Sequence, residues 1–329
     1  MGKLALDDFL RKLFINTMFI HTLPNAKDLF SVIADEKGLL PSIIEKDYWL
    51  MHCLWGIQQQ GYRFELKGGT SLSKGFSIIE RFSEDIDIQI HPADDTVKVG
   101  KNHDKEAHIK SRSDFFDNIT NTLQIDGFLF ERDYNFDDRS GKMRSAGIKA
   151  IYESHFSNDP SIKEGVILEL GFDQTTPNVE KDITSWAFEK ASSLNLTLID
   201  NRAKNIPCYC PEYTFVEKLQ TISTKFRLQQ ENKTLPVNFL RHYYDVYKLF
   251  ENERVLKFIG TPEYLAHKEL RFRSGDEIVI KNNPAFTMED EKTKKLYREE
   301  FIKKSPIYFG KQPSFDEIIA RIKQHIDTL

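Results

Sequence analysis

Two glycines between a short strand and a helix, followed sixteen residues later by an Asp-Ile-Asp repeat, constrain this chain more than any other feature. The segment runs Arg63-Phe64-Glu65-Leu66, then Lys67-Gly68-Gly69-Thr70-Ser71-Leu72-Ser73-Lys74, then Arg81-Phe82-Ser83-Glu84-Asp85-Ile86-Asp87-Ile88. It predicts a strand, a tight turn, a helix over about 71–79 and a second strand over 85–90. Alternate side chains of a strand share a face, so Ile86, Ile88 and Ile90 turn one way, and Asp85 and Asp87 the other. Two carboxylates then occupy one small space, and like charges that close resist joint ionisation unless a cation neutralises them. Hard oxygen donors on a rigid strand suit Mg²⁺. Gly68 and Gly69, opening a helix, let backbone N–H groups approach an anion at the favourable end of the helix dipole. A nucleoside triphosphate (NTP) satisfies both halves. Thr70 is the favoured hydroxyl contact over Ser71; Lys74, one turn into the helix, reaches either the same phosphate or only water.

The surrounding pattern places this unit in an α/β (α+β) domain with a mixed sheet. Ile44, Tyr48, Met51 and Trp55 continue one face of a helix that opens at Pro41-Ser42, with Ser42 and Glu45 spaced as a capping box; Leu6, Phe9, Leu10, Leu13 and Phe14 suggest an earlier one. Further strands are expected at 127–131, 147–152, 165–172 and 194–199, and a helix around Phe115 to Leu123. From Ile206 onward helical patterns dominate, at 214–227, 238–250, 262–271, 292–303 and 314–328. The division expected is an α/β domain over 1–204 and a C-terminal helical domain over 205–329. The 329 residues carry 46 Lys and Arg against 50 Asp and Glu, so a polyanion must be met by a local patch, not by a global field. Three cysteines, two of them one residue apart, argue against a disulfide framework, and no apolar run is long enough for a membrane span. A reducing, cytoplasmic setting with no membrane contact is the expectation.

The segment Lys67–Lys74 through Arg81–Asp87 resembles the signature of the AbiEii/AbiGii-type nucleotidyltransferase toxins, a branch of the polymerase-β-like nucleotidyltransferases. Glu45-Lys46-Asp47-Tyr48 is similar to a run that precedes the glycines in that branch, and weaker similarity extends to 211–219 and to Arg241-His242-Tyr243-Tyr244-Asp245. The resemblance implies a third metal-binding acid on a neighbouring strand. Glu169, a lone carboxylate in the apolar run 165–172, is the first candidate and Asp173 the second. It also implies a motif lysine and a later aspartate at the active site, which by position look like Lys218, holding the triphosphate, and Asp245. The plainer reading of Asp245 is an i,i+4 ion pair with Arg241.

Other readings are weaker. Neither G-x-x-x-x-G-K-[ST] nor G-x-G-x-x-G occurs, which sets aside P-loop and Rossmann sites, and the cysteines and histidines lack zinc spacing. Lys292, Lys294, Lys295, Arg298, Lys303 and Lys304 alternate with acids and read as a solvated face or an RNA-binding one. The resulting expectation is a Mg²⁺-dependent nucleotidyltransferase. It would be the toxin of a toxin–antitoxin or phage-defence system that transfers a nucleoside monophosphate from an NTP to RNA such as the tRNA 3′ end, opposed by a cognate antitoxin. The alternatives are transfer to a protein or small molecule, and a nucleotide-binding module without catalysis.

Overall fold

The computed structural model describes residues 18–93, 95–100, 102–156, 163–303 and 305–329, so the helix expected at Leu6–Phe14 lies outside it. Seven strands form one mixed sheet in the order β3-β4-β5-β2-β1-β7-β6: β1 Arg63–Lys67, β2 Asp85–His91, β3 Leu129–Asp133, β4 Ser145–Ile151, β5 Val166–Gly171, β6 Asn178–Ile183 and β7 Ala203–Tyr209. β2 runs antiparallel to β1 and parallel to β5. One face is apolar because the period of two puts Ile86, Ile88 and Ile90 of β2 in line with Leu168 and Leu170 of β5 and Leu66 of β1, all of them buried. Helices α1 (Ala26–Lys37) and α2 (Pro41–Gln59) belong to this core, α2 lying directly on β2, β5 and β7.

Helices α3 (Glu106–Thr122) and α4 (Trp186–Ser193) complete the sheet-bearing half, and α5 (Pro211–Asn232) and α6 (Arg241–Leu249) open the helical half. Shorter helices over Glu253–Phe258, Pro262–Arg271, Glu291–Ile302 and Phe315–His325 follow. The change from strand to helix falls between Tyr209 and Pro211, beyond the 204/205 division read from the sequence. A second apolar core, built on Phe215, Leu219, Ile222 and Tyr243, takes in Leu72 and Ile79 from the segment after the glycines, so that segment is packed into the helical half. All three cysteines are free and buried, and no described helix is long and apolar enough to cross a membrane.

Four local expectations change. The helix at 71–79 is one short turn over Gly68–Thr70 followed by a wide turn closed by the Phe76 N–H on the Ser71 carbonyl at 3.1 Å; it stops where Ser77 takes φ 53°. No extended strand forms at 194–199: Leu194 and Leu196 are 55% and 46% exposed, and among the described residues the segment makes only an isolated parallel bridge, Leu198 with Met18, the Ile199 N–H donating to the Met18 carbonyl at 3.0 Å. β6 and β7 are strands that propensity hides, one largely polar at the sheet edge, the other carrying Pro207. Leu40, not Ser42, precedes the first turn of α2, with Pro41 inside it, and Glu45 is no cap: buried, it accepts from the His155 N–H at 2.9 Å and from Ser154 Oγ.

The two halves are joined by a buried ionic triad. Arg81, on the segment leading into β2, donates through Nε and Nη2 to the two oxygens of Asp245 on α6 at 2.6 and 2.7 Å, and Lys218 Nζ on α5 lies 3.1 Å from the same carboxylate. Burial works to raise the Asp245 pKa, but Arg81 and Lys218 outweigh it and hold the carboxyl at about 2. The i,i+4 pair with Arg241 therefore does not form; the partners of Asp245 come from elsewhere in the fold. Removing this acid strands two cations in the interior. Asp245→Asn is expected to cost about 3–5 kcal/mol, read as a lowered urea midpoint with unchanged slope. A loss under about 1 kcal/mol, the worth of an exposed pair, would show that the triad does not hold the halves together.

Candidate active site

β1 delivers the chain to Gly68 in a left-handed conformation, φ +70°, which a side chain would strain. A Cβ there would also lie 2.2 Å from Oδ2 of Asp87, so the missing side chain is what lets this carboxylate rest against the turn. At Gly69 a Cβ would meet Ser83 Oγ at 2.7 Å. The Thr70 hydroxyl donates to the Asp85 carbonyl at 2.7 Å, tying the turn to the first residue of β2. Its one proton is thus committed to the fold, which leaves backbone N–H groups as the donors for an anion at this turn. Lys74 does not point toward the aspartates' face. Its Nζ lies 2.5 Å from Asp47 of α2 and 4.2 Å from the centre of the Trp186 ring.

Asp85 and Asp87 share the face opposite the isoleucines, and strand register brings the third acid to them: Asp87 stands directly across from Glu169 of β5. Burial, then the charges of Asp87 and Asp85, push the Glu169 carboxyl from an ordinary 4.5 up to about 8, with Lys163 and Arg241 pulling the other way. Asp85 is 4% exposed, and Lys163 Nζ donates to both of its oxygens at 2.9 Å. Asp173, beyond the end of β5, is held by Arg271 through two bonds of 2.7 Å. Against the effect of its burial, Arg271 and Lys67 keep its carboxyl at about 2, so it is an ion-pair partner and Glu169 is the acid beside the pair. Among the described residues no three His, Cys, Asp or Glu side chains already converge on one point as a finished metal cage. The donor chemistry nonetheless fits a divalent cation: three carboxylates on adjacent strands, one of them driven toward its neutral form by burial and by the other two.

Helices α5 and α6 bring cations toward this face. Lys218 and Lys225 lie two turns apart on α5. Lys218 is fastened to Asp245, whereas Lys225 donates to His242 Nε2 at 3.2 Å, and burial together with Arg241 and Lys218 lowers its pKa to about 8. Arg241 opens α6 with its Nε buried and without an acceptor among the described residues. Neither Lys225 nor Arg241 meets a carboxylate within ion-pair distance among the described residues. The basic stretch of the later helix is different: Lys294 and Arg298 pair with Asp316, and Lys303 with Glu300. Lys304 lies outside the described residues.

The run Glu45-Lys46-Asp47-Tyr48 is buried throughout and braces the site from behind. Lys46 Nζ donates to the Lys163 carbonyl at 2.5 Å, Asp47 accepts from the Trp186 N–H at 2.9 Å and faces Lys74, and the Tyr48 hydroxyl lies 2.7 Å from His21 Nδ1. Sequence reasoning missed Lys163 and the roles of Arg81, Lys225 and Arg241, though it set Lys225 on one helix face with Lys218. A recognisable signal existed only for Lys225, which repeats Lys218 at helical spacing.

The raised Glu169 pKa has a sign that can be checked on the metal-free protein. Between pH 4.5 and about 8 the folded chain keeps a proton that the unfolded chain has released, so this group makes stability fall as pH rises through that window. Glu169→Gln is expected to remove the fall, gaining on the wild type in thermal melts in EDTA as pH increases. An offset that is constant across the window would show that its neighbours do not perturb this carboxyl.

The sequence matches, over residues 49–321, the family described as nucleotidyl transferase AbiEii toxin, type IV TA system. No curated protein matches it. Among solved structures, an antigenic nucleotidyltransferase-like protein from Paracoccidioides brasiliensis aligns at 11% identity over 70% of this chain and 94% of its own, with a TM-score of 0.33, a likeness too slight to decide anything. The family match takes in the glycine turn, the three strand carboxylates and the cations of α5 and α6, and on it the chain belongs to the AbiEii nucleotidyltransferase toxins of type IV toxin–antitoxin systems.

Proposed function

We propose that the protein transfers a nucleoside monophosphate from an NTP to an RNA acceptor such as the tRNA 3′ end, releasing pyrophosphate, in the cytoplasm of a cell that also makes a cognate antitoxin and uses the system in phage defence. The observation that carries this reading is the register pair Asp87 and Glu169, with Asp85 on the same face, set against Gly68 and opposed by cations that lack carboxylate partners. Asp85, Asp87 and Glu169 would hold Mg²⁺, which when bound lowers the pKa of an acceptor hydroxyl and stabilises charge on the leaving phosphate.

The chain's own residues do the rest. The backbone N–H groups that follow Gly68 would face the triphosphate, Gly69 lets the turn pack against Ser83 and Arg81, and Thr70 fixes the turn to β2 through the Asp85 carbonyl. Lys225 and Arg241 offset the phosphate charge, and Lys218, anchored by Asp245, adds to the same field. Lys74, engaged by Asp47, holds the glycine turn in place from the far side. Glu169, held toward its neutral form by burial and by Asp87 and Asp85, would have to release its proton to serve as a ligand.

The test supplies Mg²⁺, each α-labelled NTP in turn, and total RNA or tRNA to the purified protein, and asks which RNA gains label. Asp87→Asn should abolish labelling, a loss of roughly a hundredfold or more, while the variant stays as stable as the wild type because it relieves repulsion with Glu169. Labelling that survives in Asp87→Asn and Asp85→Asn would sink the reading. Arg241→Met should raise the KM for NTP by about tenfold, and an unchanged KM would remove this arginine from the triphosphate site.

A further inference from the structure

Lys163 has no part in the transfer described above, yet it makes the most direct contact of any residue with the carboxylates. Its Nζ donates to both oxygens of Asp85 at 2.9 Å, with the lysine side chain 33% exposed and the aspartate 6%. Its backbone is held separately. Lys46 Nζ donates to its carbonyl at 2.5 Å, and its N–H donates to Glu84 Oε1 at 3.4 Å. The main chain is therefore anchored by two buried charged residues, one on α2 and one just before β2, and only the ammonium is free to change partner.

The ammonium and a divalent cation cannot both use the same two oxygens. With Lys163 in place, both oxygens of Asp85 are engaged by an ammonium. Without any cation there, Asp85, Asp87 and Glu169 would stand as three partly buried like charges on neighbouring strands. A freed ammonium stays within a side chain's length of Asp85, and the nearest incoming anion is the nucleotide's phosphate chain.

We propose that Lys163 is a placeholder cation: it occupies Asp85 in the free protein, yields the carboxylate to the divalent ion, and then donates to a phosphate of the bound nucleotide. The inference rests on the metal and NTP reading of this same site. No bond to carbon, phosphorus or hydrogen changes in the exchange; one cation replaces another on a carboxylate.

The experiment titrates the full-length protein with Mn²⁺ calorimetrically, without nucleotide, and measures the KM for NTP in the transfer assay. Two variants are compared with the wild type: Lys163→Met, which keeps length and loses charge, and Lys163→Arg, which keeps charge in a forked form. Lys163→Met should bind Mn²⁺ about tenfold more tightly, because no ammonium has to be displaced, and its KM for NTP should rise by about tenfold. Lys163→Arg should bind Mn²⁺ more weakly than the wild type, because a guanidinium grips a carboxylate through two parallel bonds. A merely structural ion pair predicts lost stability with Mn²⁺ affinity unchanged or weakened in Lys163→Met, and that result overturns the placeholder. Tighter Mn²⁺ binding with an unaltered KM overturns the phosphate contact. If Lys163→Met does not fold, Lys163→Arg decides, and Mn²⁺ binding equal to or tighter than wild type rejects the proposal. Asp85→Asn separates the two possible failures. Should the wild type bind no more Mn²⁺ than Asp85→Asn, the metal reading falls and this inference with it; should the wild type bind and Asp85→Asn not, an unchanged Lys163→Met counts against Lys163 alone.

Discussion

The repulsion between Asp87 and Glu169 is the interaction that the rest of the site is arranged around. Parallel pairing of β2 with β5 sets these two carboxylates side by side, and the same register that buries Ile86 against Leu168 fixes their contact. A slip of one residue would turn the acids into the apolar core and the isoleucines onto the acidic face, so the apolar core of the sheet holds the acids together against their own charge. That is a standing destabilisation of the empty protein. It is tolerated because Glu169 takes up a proton, Lys163 covers Asp85, and Gly68 gives the Asp87 carboxylate room against the turn.

The cations of the helical half fall into two kinds, and pairing tells them apart. Arg81 and Lys218 are spent on Asp245, a closed arrangement that locks α5 and α6 to the segment preceding β2. Buried ion pairs of this sort contribute little net stability compared with an apolar replacement but are costly to break, which suits a joint that must hold one geometry. Lys225 and Arg241 have no such partner among the described residues, and burial makes the Lys225 charge expensive to keep, lowering its pKa to about 8. A protein that keeps unpaired cations near the surface of its core does so when something anionic arrives to pair with them.

The parts of this arrangement that follow local rules were legible in the sequence. The period of two placed Asp85 and Asp87 together and the isoleucines opposite, and a lone carboxylate in an otherwise apolar strand pointed to Glu169. Its place beside Asp87 then depended only on which strands became neighbours. What was illegible depends on contacts distant along the chain. Asp245 has Arg81 and Lys218 as partners, so the nearby Arg241 was the wrong inference from helical spacing. Lys163 carries no motif and gains meaning only because Lys46 holds its backbone. β7 contains Pro207 yet sits between β1 and β6, and the Leu194–Ile199 alternation yields, among the described residues, only the single bridge of Leu198 to Met18; in both cases tertiary context overrode local propensity.

The charge pattern across the site also bears on the order in which its ligands arrive. On the sheet side, Asp85, Asp87 and Glu169 have Lys163 as their ion-pair partner, with Arg241 and Lys46 acting through space, leaving an excess of negative charge once Glu169 ionises. On the helix side, Arg81, Lys218, Lys225 and Arg241 have Asp245 as their one ion-pair partner among the described residues, leaving an excess of positive charge. A bare divalent cation would satisfy the first wall and be opposed by the second; a bare triphosphate would meet the reverse. A cation already bound to a triphosphate presents positive charge to the carboxylates and negative charge to the helices at once, so each wall lowers the cost of the other's partner. On the proposed function, two surfaces of opposite sign joined through the Arg81–Asp245 pair would therefore favour the metal–nucleotide complex over either component.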